Sequence, residues 1–283
     1  MENTLDMKVS LKKQRIGMNT TLTVGLIITT VIVIVAIFPS LFTSYSPTAH
    51  DANAMLLPPS SSHWFGTDNF GRDIFSRVVY GARIDLAIGI GATIVPFIVG
   101  TILGLLTGYY GGKLDTLLMR LLDISMAFPF MVLAVLLAAI IGSGIQVLLV
   151  ASWLVAWKEY ARLIRSEVMV ARSAEYVEAA KSMGYGDGRI IFRHILPNVI
   201  SSAIVYCASD IVISMMAAAS LSFLGLGVQA PTPEWGAIIS NGKSFLSSAP
   251  WITVLPGFVL AITGLGFSLI GDGLSDILRT GGN

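Results

Sequence analysis

Charge-free apolar runs alternate with short charged stretches along this chain. A helix that crosses a membrane needs about 20 apolar residues at a rise of roughly 1.5 Å each. By that measure the first run centres on Leu22 to Phe38 and the second on Leu86 to Tyr109, with no charge between Asp85 and Lys113. From Ile124 to Trp157 there are 34 residues without a charge, broken by Gly142-Ser143-Gly144. That stretch is too long for one span and short for two. It predicts a helical hairpin whose arms borrow flanking residues, Leu117 to Ile141 and Ile145 to Leu163. A fifth span covers Val199 to Leu224, with Asp210 inside it, and a sixth covers Trp251 to Ile270. The expected fold is all-α and integral to the membrane: six transmembrane helices in one domain, residues 21–283, after a short segment 1–20.

Six spans put both termini on one side, and the distribution of Lys and Arg decides which side that is. With the termini in the cytoplasm, only Arg72, Arg77, Arg83 and Lys243 lie outside, leaving 14 of the 18 basic residues inside. The expected outer loops are 43–85 and 225–250, and the one sizeable inner loop is 158–197. Lys12, Lys13 and Arg15 precede the first run as they would in a signal peptide. The run is long for such a segment, however, and ends in Phe38-Pro39-Ser40-Leu41-Phe42 with no small-x-small cleavage site, so a retained helix is expected.

Composition strengthens this picture and removes rivals. Of 283 residues 54% are hydrophobic and 12% charged, about half the charged share of a soluble chain. Membrane lipid is therefore the expected surroundings. A formal net charge of +1, without a cluster of Lys or Arg among aromatics, excludes nucleic acid as a partner. Cys207 is the only cysteine, so no internal disulfide can form. His50, His63 and His194 are scattered, so no metal cluster is expected.

The inner loop carries Ser173-Ala-Glu-Tyr-Val-Glu-Ala-Ala-Lys-Ser-Met-Gly184. Ser173 suits an N-cap and Glu175 the first turn. Tyr176, Ala179, Ala180 and Met183 recur at i, i+3, i+4 and i+7, and Gly184 can close the helix. Periodicity alone also fits a helix lying among lipid headgroups. The apolar face is small, though, and two alanines with a methionine make a poor lipid anchor but a good knob for a cleft in another protein. Pro197 suits the first turn of the fifth span.

Glu178-Ala179-Ala180, Gly184 four places on, and Leu196-Pro197 twelve beyond that resemble the cytoplasmic "EAA" loop of permeases of bacterial ATP-binding-cassette importers. His194 stands where the family's usual isoleucine would be. The resemblance implies a type I importer permease fold (MetI-like) whose inner loop docks a coupling helix on an ATPase, through Tyr176, Glu178, Ala179, Ala180, Met183 and Gly184. Further stretches resemble the second permease subunit of dipeptide, oligopeptide and nickel importers. These are His63-Trp-Phe-Gly-Thr-Asp68, Gly71-Arg-Asp73, Phe75-Ser-Arg77, Tyr80-Gly-Ala-Arg83, Ser222-Phe-Leu-Gly-Leu-Gly227, Pro231-Thr-Pro-Glu-Trp-Gly236 and Gly271-Asp-Gly-Leu274. By resemblance the chain would pair with a homologous permease, two ATP-binding subunits and an extracytoplasmic solute-binding protein, in the bacterial cytoplasmic membrane. It would itself bind no cofactor and perform no covalent chemistry, with ATP and Mg held by the partners. Small peptides are the first expected substrate, and nickel or a metal chelate the next.

Gly108-Tyr-Tyr-Gly-Gly-Lys113 matches a phosphate-binding loop only in part, because Thr107 replaces its first glycine and Leu114 the Ser/Thr after the lysine; no nucleotide site is expected there. Asp210, an ionisable group at membrane depth, either lines the translocation path or ties helices together. Arg120 and Asp123 are spaced for an i, i+3 ion pair, and Gly100, Gly104 and Gly108 form a smooth stripe suited to close helix contact. The Arg and Asp residues between His63 and Arg83 are expected mainly to pair with one another and cap the bundle. Pro96, Pro129 and Pro256 read as kinks. A secondary transporter or channel is the rival reading, supported by Asp210 alone and by no visible inverted repeat.

Overall fold

The computed structural model describes residues 19–280, and among them the regular structure is helical. The elements are α1 (Thr20–Ile37), α2 (Ile74–Tyr110), α3 (Gly112–Ala127), α4 (Phe130–Ile141), α5 (Ile145–Val155), α6 (Trp157–Ala171), α7 (Glu175–Ser182), a single turn α8 (Asp187–Arg189), α9 (Leu196–Phe223), α10 (Trp235–Gly242) and α11 (Trp251–Thr280). A π-helical stretch, Ile190–Ile195, joins α8 to α9. Most of the expected segment 1–20, with Lys8, Lys12, Lys13 and Arg15, lies outside the described residues.

Four helices are long and apolar enough to cross a membrane, and the bent pair α3 and α4 raises that to five. The expected third span is broken at Phe128 and Pro129, where the two halves meet at 80°. A proline cannot supply the hydrogen bond that would continue α3, so the expected kink is here a full break. Pro96 and Pro256, by contrast, sit inside the uninterrupted helices α2 and α11. The expected fourth span divides into α5, only 11 residues, and the more polar α6, so a sixth crossing does not stand out as one apolar helix.

The second span is longer than the charge pattern predicts. Helix α2 starts at Ile74, so the last 12 residues of the expected outer loop 43–85 are helical. Asp73 caps the helix, its Oδ2 accepting from the Ser76 N–H at 2.7 Å. Charges do not end the helix because they find polar partners inside the fold. Asp68 accepts from Arg72 Nε at 2.6 Å and lies 3.9 Å from Arg77 Nε, while Arg83 donates to the carbonyls of Ala36 and Ile37, both at 3.0 Å, closing the end of α1. His63 Nδ1 sits 2.9 Å from Asp73 Oδ1. The expected mutual pairing of these groups is therefore what holds the outer lobe.

Helices α2 and α6 cross at glycine. A Cβ on Gly100 would collide with the Trp157 carbonyl, one on Gly104 would lie 2.6 Å from the Ala161 oxygen, and one on Gly108 would lie 2.7 Å from Val168 Cβ. The stripe is thus a packing seam, as its spacing suggests. The expected Arg120–Asp123 pair is not made. Within 4 Å the ion pair made by α3 joins Asp115, in its first turn, to Arg165 of α6, with Nη2 2.7 Å from Oδ2.

The described ends of the chain lie together, with Asn19 Nδ2 donating to Asp276 Oδ2 at 2.7 Å. A Cβ on Gly273 of α11 would fall 2.6 Å from Leu22. Because Arg83 reaches the far end of α1, the end of α2 near Tyr109 lies at the same end of the bundle as these termini.

Candidate functional site

At that end sits α7. Ala174, not Ser173, occupies the N-cap and makes no side-chain bond there; the Ser173 N–H is already committed to the Val170 carbonyl at 3.2 Å, closing α6. Glu175 and Glu178 lie in the first turn and Lys181 in the last, the charge order that suits the helix dipole. The C-terminus closes on Gly184 at φ +77°. Its N–H reaches Lys181 O at 2.9 Å and the Tyr185 N–H reaches Ala180 O at 3.2 Å, the paired bonds of a Schellman motif. The sequence expectation for Gly184 as helix terminator matches this geometry.

The expected face divides. Val177 and Ala180 are 0% exposed and pack into a core with Tyr160, Ile164, Val168, Ile190 and Ile195. Ala180 therefore points into the chain's own bundle, a correction to its expected place on a docking face. Tyr176 and Met183 are exposed, at 41% and 62%, and Ala179 and Glu178 are exposed beside them. Helical geometry explains the split: positions i+1 and i+4 from Tyr176 lie on the side that the π-helical stretch covers, and an alanine fits either side.

Hydrogen bonds and ring contacts fix the loop to the bundle. Tyr109 Oη donates to Asp187 Oδ1 at 2.7 Å, and the Lys181 ammonium lies 5.7 Å from the Tyr109 ring centre. Arg189 lies 4.1 Å over the Tyr185 ring, which stacks on His194 at 5.8 Å. Arg172 donates to the carbonyls of Gly108 and Tyr109 at 3.2 and 3.3 Å, so the end of α6 is pinned to the end of α2. Higher in the bundle Ser202 Oγ donates to Glu167 Oε1 at 2.6 Å, joining α9 to α6. Tyr109, Arg172 and Asp187 were missed in the sequence, where they read as ordinary boundary residues; only their contacts across 63 or more positions single them out.

Asp210 does not face an open path. It is 5% exposed and accepts from Tyr160 Oη at 2.9 Å, between α9 and α6. Thr93 of α2 and Ser214 of α9 are hydrogen-bonded nearby at 3.4 Å. The geometry is that of a polar clasp among three helices. Among the described residues no three His, Cys, Asp or Glu side chains converge as a metal ion would require.

A bundle of several membrane-length apolar helices, with a short helix held proud of one end, places the chain among multi-pass membrane proteins. Residues 100–281 match the family described as binding-protein-dependent transport system inner membrane component, and residues 14–59 match the N-terminal transmembrane domain of oligopeptide transport permease C. The chain belongs to that family of inner-membrane transport permeases. It is 46% identical over 268 residues to a dipeptide transport system permease protein of Alkalihalophilus pseudofirmus, covering 95% of this chain and 86% of that one. It is 47% identical over 220 residues to a glutathione transport system permease protein of Pectobacterium atrosepticum, covering 78% and 73%. An oligopeptide transport system permease protein of Bacillus subtilis is 38% identical over 255 residues, covering 90% and 84%. In fold, the chain is similar to an inward-facing MetNI methionine ABC transporter chain with a TM-score of 0.57, at 20% identity, covering 72% of this chain and 95% of that one.

Proposed function

We propose that this chain is one of two permease subunits of an ATP-driven importer of small peptides, and that α7 is the part gripped by a separate ATPase. The observation that carries the reading is the two-sidedness of α7. One side is locked into the bundle by Val177, Ala180 and the Gly184 closure, while Tyr176, Ala179 and Met183 stand free of it. A rod anchored on one side and bare on the other transmits force from a partner seated on the bare side. Through Tyr109, Arg172 and Asp187 that force reaches α2 and α6, and near-rigid helix movement then exchanges outward and inward access. ATP and Mg sit on two partner subunits, a homologous permease completes the pathway, and a solute-binding protein delivers substrate from outside. Both termini and α7 are cytoplasmic. The names of the dipeptide, glutathione and oligopeptide relatives support the substrate class.

The test replaces Ala179 or Met183 by Asp in the full chain, expressed with its neighbouring transport subunits. The expected result is loss of the ATPase on purification and at least a tenfold fall in peptide uptake, with helix content and melting temperature unchanged. Failure of any ATPase to co-purify with the unaltered chain overturns the reading in favour of a transporter without a separate motor.

A further inference from the structure

The outer segment between α9 and α11 is held to α2 by two buried carboxyl groups. Glu234 caps α10, its Oε1 accepting from the Gly236 N–H at 2.9 Å and its Oε2 from the Ala237 N–H at 2.7 Å. The next amide, that of Trp235, donates instead to Asp85 Oδ2 of α2 at 3.1 Å. The two carboxyl groups meet with Glu234 0% and Asp85 1% exposed. Trp235, also 0% exposed, closes the site and donates its indole N–H to Val78 O at 2.9 Å. Gly81 and Gly236 are approached so closely that a Cβ on either would collide with backbone.

Asp85 Oδ1 is buried with no donor, and the group against it, Glu234, is itself an acceptor when ionised. Among the described residues no cation offsets the pair. Arg83 of α2 turns away to the carbonyls of Ala36 and Ile37, and Lys243, beyond α10, lies over the Phe223 ring. Facing the pair, α9 offers the Ser222 hydroxyl, whose oxygen accepts from the Val228 N–H at 3.1 Å. Neither the described part of α1 nor α5 contains a titratable side chain, and α11 has none before Asp272. Two ionised carboxylates in contact, both buried and without a counter-charge, repel strongly. One proton between them converts that repulsion into a charge-assisted hydrogen bond.

We propose that Asp85 and Glu234 form a one-proton site that clamps the outer segment to α2. Burial pushes the Glu234 carboxyl upward from its ordinary range, in keeping with a retained proton. In the unfolded chain both carboxyls ionise near their ordinary values. Above those values the folded chain holds one proton more, so stability is full in acid and falls as pH rises through the pair's titration. The site is independent of the peptide-import reading and stands or falls apart from it.

Infrared difference spectroscopy on the full chain in lipid nanodiscs, comparing the unaltered chain with Asp85→Asn at neutral pH, reads the proton directly. A protonated-carboxyl band present in the first and absent from the second is the expected result. The folding equilibrium of the unaltered chain should also weaken by up to about tenfold per pH unit between the ordinary carboxyl range and the pair's titration, and level off above it. That of Asp85→Asn should stay flat, because its amide donates permanently to Glu234. Identical bands, or identical pH slopes, overturn the proposal. Should Asp85→Asn fail to fold, absence of any protonated-carboxyl band from the unaltered chain at neutral pH overturns it equally.

Discussion

Tyr160 and Asp210 show how a single polar contact at membrane depth is weighed. An ionisable group there points first to the transport path, but a carboxyl that is 5% exposed and bonded to a neighbouring helix at 2.9 Å is spent on structure. Tyr160→Phe removes the donor and leaves a buried acceptor, which costs about 1–3 kcal/mol. The expected outcome is a lower melting temperature with uptake per folded molecule unchanged; lost uptake at unchanged stability would return Asp210 to the path. The glycine seam is sharper still. Leucine at Gly104 must displace the Ala161 carbonyl or the Ile164 side chain, so Gly104→Leu should cost at least the roughly 1–3 kcal/mol of ordinary overpacking and reduce the yield of folded protein. Gly112, whose Cβ would meet nothing within 4 Å, is a control for crowding, although its φ of +62° carries its own penalty.

Among the elements, α7 separates what sequence could and could not reveal. The helix and its closing glycine were legible from spacing alone. Which alanine faced outward was not, because Ala179 and Ala180 are chemically identical and only the π-helical stretch beneath decides between them. The start of α2 escaped for a related reason. Arg77 and Asp85 look like loop residues until their partners, Asp68 and the Trp235 amide, are brought to them by the fold. The pairing of Asp85 with Glu234 lay 149 positions apart and carried no local signal. The split of α7 makes a prediction of its own. Val177→Asp buries an unpaired charge at a 0% exposed site and should unfold the loop, so that protease nicks the chain between residues 173 and 190. Met183→Asp, on the exposed side, should leave the chain as resistant as the unaltered protein. Equal resistance of both variants would show that α7 is not anchored through Val177.

At the scale of the whole molecule, two lines of observation support the proposed orientation in the membrane. Charge asymmetry puts 14 of 18 basic residues on the side of the inner loop, and the contacts put α7, the Asn19–Asp276 bond and the end of α2 at one end of the bundle. The outer lobe, held by Asp68, Arg72 and Arg77, caps the other end. Because Cys207 is the only cysteine, Cys207→Ser gives a background in which one introduced thiol reports one position. Ser182 in α7 and Ser62 in the outer lobe are both exposed. A membrane-impermeant maleimide applied to intact cells should label Ser62→Cys and spare Ser182→Cys until the membrane is opened. Labelling of Ser182→Cys from outside would put the bare face of α7 beyond reach of any cytoplasmic ATPase. The fold would survive that result, since the packing of α2, α6 and α9 does not depend on which leaflet faces the cytosol, but the proposed direction of force would not.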